Sequence, residues 1–219
     1  MSVNINSFKL YYEFLANKNN VGLTLTTDQL SIVGNAAQML PFTADYETYS
    51  QTGVVSNYLK TFLKIGSVYQ VNPNNNVIPY PADLQYISSV RYLYNGTQYK
   101  AEWVDNIDVA DVLRPNSLIA PTADFVKWQY VDDGIQVFTP NAISVYLDYL
   151  KTPTVPVWGY QTINGQQVYD PTTSTDYDWD IYFLNRIMGI FLQMIGINLS
   201  SVELSQFSQM FTAETKVII

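Results

Sequence analysis

The sequence predicts an α+β fold in which N- and C-terminal helices form a bundle, with an antiparallel β-rich insertion and an extended Pro-rich arm carrying a small hairpin. Three observations lead there. Apolar residues recur at helical spacing near both ends of the chain, the texture changes to breakers and alternation at Ile65, and a Pro/Thr/Ser-rich stretch follows residue 150. The implied layout is 1–65 for N-terminal helices, 66–150 for the β-rich section, 151–178 for the arm, and 179–219 for C-terminal helices packing back as one folding unit.

The first helix is read from Phe8, Tyr11, Tyr12 and Leu15, at i, i+3, i+4 and i+7 after the caps Asn6 and Ser7, and it ends in the run Asn17 to Gly22. Thr26 and Gln29 form a capping box that opens a helix with Leu30, Val33, Ala37 and Leu40 on one face, stopped or kinked at Pro41. Val54, Tyr58 and Phe62 lie four apart, which predicts a further helix after Gly53.

From Gly66 to Pro81 the breakers are too dense for helix. Val90, Tyr92 and Tyr94 then alternate, Asn95-Gly96 suits a type I′ turn, and Tyr99, Ala101 and Trp103 alternate on the return, giving a hairpin. A second strand pair is predicted at Ile135 to Phe138 and Ile143 to Leu150, joined by Thr139-Pro140-Asn141, with Ile143, Val145, Leu147 and Tyr149 on one face. Between the pairs, Asp108 to Leu113 reads as a helical turn halted by Arg114-Pro115.

Residues 151 to 178 hold Pro153, Pro156, Pro171 and a second Asn-Gly pair, Asn164-Gly165, but no long apolar pattern. An arm with a hairpin from Tyr160 to Tyr169 is the consistent reading. Trp158 and Tyr160 have no local core to join, and aromatic anchors of this kind commonly fill a pocket on a neighbour. Beyond the arm, Asp178 or Asp180 caps a helix with Ile181, Leu184, Met188, Phe191 and Ile195 on one face, ending at Gly196. Ser200 and Glu203 form a second capping box, with Leu199 and Leu204 as a hydrophobic staple, and open the last helix.

Composition restricts function. With 219 residues, 47% hydrophobic and 14% charged, the chain can bury a core and does not match a disordered composition. Its longest apolar run, Ile187 to Ile197, falls well short of the ~20 residues that span a bilayer, so no membrane role is expected. The start, MSVNINSFKLYYEF, has neither a basic leader nor a small-residue cleavage site, which predicts retention in the cytosol of the producing cell.

The chain has no histidine and no cysteine. Disulfides, thiolate nucleophiles, zinc knuckles and the commonest general base go with them, so no catalytic residue, no cofactor and no metal is predicted, and the chain is read as a non-enzyme. Carboxylates are the remaining acid/base groups. Asp132-Asp133-Gly134 fits a turn before a strand, and Asp176, Asp178 and Asp180 lack the glycine and terminal glutamate of an EF-hand loop, so helix capping explains them better than calcium. Lys100, Lys127 and Lys151 fit solvated edge positions better than a lysine-activated serine. A net charge of −8 opposes binding to nucleic acid through phosphates. It keeps the protein soluble, or it lines a surface that DNA must not stick to.

Two N-terminal helices, the segment Tyr80-Pro81-Ala82-Asp83-Leu84 leading into Ile87 to Tyr94 and the Asn95-Gly96 turn, the strand Val145-Tyr146-Leu147-Asp148-Tyr149-Leu150 and the closing helices resemble head-to-tail adaptor ring proteins of short-tailed phages. Lys151-Thr152-Pro153, Pro156-Val157-Trp158-Gly159-Tyr160, Asn164-Gly165, Val168-Tyr169-Asp170-Pro171 and Asp178-Trp179 look like virion structural proteins of crAss-like phages. The resemblance covers most of the chain in layout and residues 150 to 205 in motif. It implies a subunit that forms a ring of about twelve copies, each offering two different surfaces to identical neighbours. The partners it implies are the portal protein, adjacent tail or ring proteins, and double-stranded DNA passing an acidic lumen without specific binding. It places the chain in the virion at the portal-tail region, made in the host bacterial cytoplasm. Pro156, Trp158, Tyr160, Tyr169 and Trp179 are the candidate subunit-interface residues. An aromatic-rich glycan-binding module is the alternative, and an enzyme using paired carboxylates a third.

Overall fold

The computed structural model describes residues 2–18, 25–72, 74–94, 96–105, 122, 125–138 and 144–196. The chain divides into two compact units, Met1–Thr61 with Pro153–Ile219, and Phe62–Thr152.

The second unit is built from two four-stranded sheets. One has the order β2 (Leu63–Gln70), β9 (Ser144–Lys151), β4 (Leu84–Tyr94), β5 (Thr97–Lys100), with all pairings antiparallel. The other runs β3 (Val77–Ile78), β8 (Gly134–Phe138), β7 (Lys127–Val131), β6 (Glu102–Trp103), its last pair parallel. Alternation along β9 buries Val145, Leu147 and Tyr149, and they share one core with Val90 and Tyr92 of β4 and with Trp128, Ile135 and Val137 of the other sheet.

The chain passes from one sheet to the other at Ala101. Its N–H donates to the Val90 carbonyl at 2.8 Å, and the next N–H, of Glu102, donates to the Val126 carbonyl at 3.0 Å. Ala101 is buried at this corner. At Gly134 the backbone has φ 153°, and a Cβ there would run into the Ile78 carbonyl, so β3 packs against β8 only because residue 134 is glycine.

In the first unit, α1 (Ile5–Lys18), α2 (Thr27–Thr52) and α3 (Leu184–Met194) pack with β1 (Ser2–Val3) and β12 (Tyr177–Asp180), which form a two-stranded sheet. Phe8 and Tyr12 of α1 and Phe191 of α3 meet at ring-centroid distances of 5.1 and 5.4 Å, and Tyr177 closes on Phe8 at 4.9 Å. Asn4, not Asn6 or Ser7, caps α1: its Oδ1 accepts from both of their N–H groups at 3.1 Å. The Thr26/Gln29 capping box forms as the sequence reads. Pro41 does not stop α2, which runs on to Thr52 and ends on Gly53 in the left-handed conformation. An interior proline costs about 3 kcal/mol. Burial of Ala37, Gln38, Pro41 and Phe42 in one stretch of α2 offsets that cost.

The terminal helical bundle with a β insertion is not what forms. The structure is mostly β, with 38% strand and three helices among the described residues. Three misreadings explain the difference. The helix expected from Val54, Tyr58 and Phe62 is absent: a 3₁₀ turn, Leu59–Thr61, leads straight into β2, and Val54 is exposed. Tyr177 and Trp179 alternate inward along β12, a period-two signal too short to separate from a helix cap. The strands at 135–138 and 144–151 exist, yet they do not pair with each other; β8 joins β7 and β3, and β9 joins β2 and β4. The turn expected at Asp108 to Leu113, and the Ser200/Glu203 box with its Leu199/Leu204 staple, lie outside the described residues.

Candidate interaction surface

The arm's hairpin forms in the predicted register. Strands β10 (Tyr160–Ile163) and β11 (Gln166–Tyr169) pair antiparallel, Tyr160 opposite Tyr169 and Ile163 opposite Gln166. Asn164 and Gly165, at φ 51° and 79°, make the turn, the two left-handed residues that a type I′ connection requires.

At its base the hairpin is tied to its own chain. The Trp158 indole is 6% exposed and donates from Nε1 to Asn6 Oδ1 on α1 at 3.0 Å. Tyr160 and Tyr169 pack on it at centroid distances of 5.8 and 6.0 Å, and the Lys9 ammonium sits 4.6 Å from the ring centroid. Below it, Asp170 organises the turn that returns the chain. Its carboxylate accepts from the Thr172 N–H at 2.9 Å and hydroxyl at 2.7 Å, from Gln161 Nε2 at 3.0 Å, and from the Thr173 hydroxyl at 3.2 Å. These donors, Thr172 first and Gln161 next, pull its pKa down to about 2. A Cβ on Gly159 would collide with Thr173, so the two limbs of the turn close only around a glycine.

The remaining acidic residues of the arm also hold structure together. Asp176 accepts from the Ile5 N–H at 2.8 Å and from the Asn4 amide at 3.2 Å, which ties it to the start of α1. Asp178 accepts from the Thr154 N–H at 2.9 Å and hydroxyl at 2.6 Å. Asp180 caps the 3₁₀ turn Ile181–Phe183 through the Tyr182 N–H. Among the described residues, no group of three acidic side chains is placed to hold a metal ion. Asp132 and Asp133 are exposed in the turn between β7 and β8, as their turn reading expects.

Of the five candidate interface residues, the structure gathers Trp158, Tyr160 and Tyr169 in one stack. Pro156 and Trp179 lie in the core of the same unit: Pro156 against Gly34 of α2, and Trp179 with its Nε1 donating to Gln38 Oε1 at 3.2 Å. The premise that Trp158 has no local core is therefore corrected, since the arm packs on α1 and α2, which precede it by more than a hundred residues. Sequence reading missed Ile163 and Val168, which are 51% and 44% exposed on the hairpin. The signal was present: a β-branched residue on each strand of a ribbon with no charged residue between Tyr160 and Tyr169.

What results is a ribbon anchored at one end and bare at the other. All four residues of β10 and three of the four of β11 are exposed. No protein-family model matches the chain, and no curated protein sequence matches it.

Proposed function

We propose that this chain is a ring-forming head-to-tail adaptor subunit of a short-tailed phage virion, a structural protein that joins portal and tail and takes no part in catalysis. The observation that carries the reading is the bare ribbon. A two-stranded hairpin is marginally stable alone in water, and one that leaves Ile163 near its tip and Val168 nearer its base in solvent is suited to being covered by another subunit. A heterologous ring contact supplies such a cover once per subunit, with the same ribbon reaching the same place on each neighbour.

The sequence resemblance over residues 150 to 205 supports the same reading, because the arm and its hairpin are the resembling part. Here Trp158, Tyr169 and Asp170 set the ribbon's position, and Ile163 and Val168 are the residues offered to the neighbour. A ribbon held in place before docking loses less conformational freedom on association than an unfolded arm. The negative net charge suits a lumen that DNA slides past, since phosphates gain no counterion release from carboxylates.

Electron microscopy and native mass measurement of the purified protein, alone and with its portal ring, test the proposal. Wild type gives rings, and the double variant Ile163→Asp, Val168→Asp gives a folded monomer. A wild-type chain that stays monomeric in both settings overturns the adaptor reading.

A further inference from the structure

Both strands of the hairpin keep a free edge. Among the described residues their sheet contains β10 and β11 alone, so each strand is hydrogen-bonded on one side only. Antiparallel pairs alternate between residues that bond to each other and residues that turn their backbone groups outward. The alternation is fixed here at both ends of the hairpin. The two-residue turn makes Ile163 and Gln166 a bonded pair, and at the base the Asp170 N–H donates to the Gly159 carbonyl at 3.0 Å. The N–H and C=O groups of Tyr160 and Thr162 on β10, and of Gln167 and Tyr169 on β11, therefore point away from the ribbon.

Unpaired edges are templates for further strands, and proteins blunt them with charge, proline, bulges or short length. Every other edge strand among the described residues carries such a device. In the second unit β2 has Lys64 and a bulge around Gly66, whose φ is 70°, β5 ends in Lys100, and β3 and β6 are two residues long. In the first unit β1 is two residues long and β12 carries Asp178 and Asp180. The ribbon has none of these: from Tyr160 to Tyr169 there is no charge, no proline and no shift of register. Its own two edges are thus the ones left open to strand pairing, and they run in opposite directions, β10 toward the turn and β11 away from it.

We propose that the ribbons of successive copies pair edge to edge, β10 of one with β11 of the next, in one continuous antiparallel sheet that closes around the ring axis. This inference rests on the adaptor reading, and it names the partner of the bare ribbon as the same ribbon on the neighbouring subunit. Rotation about a ring axis preserves strand direction, so β11 of each copy runs opposite to β10 of the next and the antiparallel order continues unbroken. A closed sheet leaves no edge exposed, which removes the template that each free subunit carries. Residues directly opposite each other share a face. Ile163 and Val168 occupy one face of the ribbon with Gln161 and Gln166, so pairing extends them into a belt of β-branched side chains. The main chain supplies the hydrogen bonds, and this belt supplies the apolar contact.

Proline at an outward position tests the pairing, because it removes an N–H that the isolated hairpin does not use. Thr162→Pro disables the β10 edge and Gln167→Pro the β11 edge. Native mass measurement at high protein concentration is expected to give rings for wild type, monomers for each variant alone, and one-to-one dimers when the two variants are mixed, since one working edge of each kind remains. Circular dichroism and tryptophan fluorescence confirm that each variant is folded with its hairpin base in place. Hydrogen exchange of the wild type needs no variant: the amides of Tyr160, Thr162, Gln167 and Tyr169 are expected to exchange fast in the monomer and slowly in the ring. Rings that persist in both proline variants, a mixture that gives no dimer, or outward amides that stay unprotected in the wild-type ring each overturn the strand pairing and leave the adaptor reading standing. A wild type that forms no ring, alone or with its portal, overturns both.

Discussion

Trp158→Ala separates an indole packed in its own chain from one waiting for a neighbour. An aromatic side chain of this kind buries about 150–250 Å², and at about 25 cal/mol per Å² the loss is about 4–6 kcal/mol before the compactness of the unfolded chain reduces it. Measured Phe or Trp to Ala substitutions in cores cost about 3–5 kcal/mol, which agrees. The hydrogen bond to Asn6 and the contact with Lys9 are lost with the ring as well. For a chain of this length, a loss of 1 kcal/mol lowers Tm by about 2–4 °C, so thermal unfolding followed by circular dichroism falls by about 10 °C for the isolated protein. Ile163→Ser, on the bare part of the same hairpin, changes stability by no more than about 0.5 kcal/mol. A Trp158→Ala protein as stable as wild type, with stability lost only in assemblies, refutes the intrachain anchor and returns Trp158 to the subunit interface.

Three further outcomes follow from the same geometry. The Asp170 carboxyl is held at about 2, below its ordinary value of 3.8, so it stabilises the fold above its unfolded pKa and loses that contribution as pH falls from about 4 toward 2; tryptophan fluorescence across that window reports loosening of the hairpin base, and Asp170→Asn flattens the dependence. Gln38→Leu removes the 3.2 Å acceptor of the buried Trp179 indole N–H and the 2.9 Å donor to the Thr154 carbonyl, a loss of about 1–3 kcal/mol carried by the buried indole, measured by urea unfolding. Gly134→Ala forces a Cβ into the Ile78 carbonyl and destabilises the protein by more than the ~1 kcal/mol typical of a surface glycine, while Gly165→Ala at the open hairpin tip pays only for its positive φ.

Short-range chemistry was legible in the sequence wherever the deciding partners lie within a few residues. Thr26 and Gln29 cap α2 through each other, Asn164-Gly165 turns the hairpin, and Asp132-Asp133 turn into Gly134, because each depends on local backbone preference and nothing else. The inward face of β9 was legible for a similar reason, since alternation is a property of the strand itself. Which strand lies beside it was not: β9 sits between β2 and β4, both more than fifty residues earlier, and no local pattern encodes that choice. The candidate interface divides the same way. The hairpin and its aromatic residues could be read in order along the chain. That Trp158 is buried against Asn6 and Lys9, while Tyr160, Ile163 and Val168 stay exposed, depends on α1 folding back onto the arm from the other end of the sequence. Sequence determined the local turns, caps and alternating faces by itself, and tertiary structure decided which residues those faces cover, because burial belongs to a pair of surfaces and a sequence displays them one at a time.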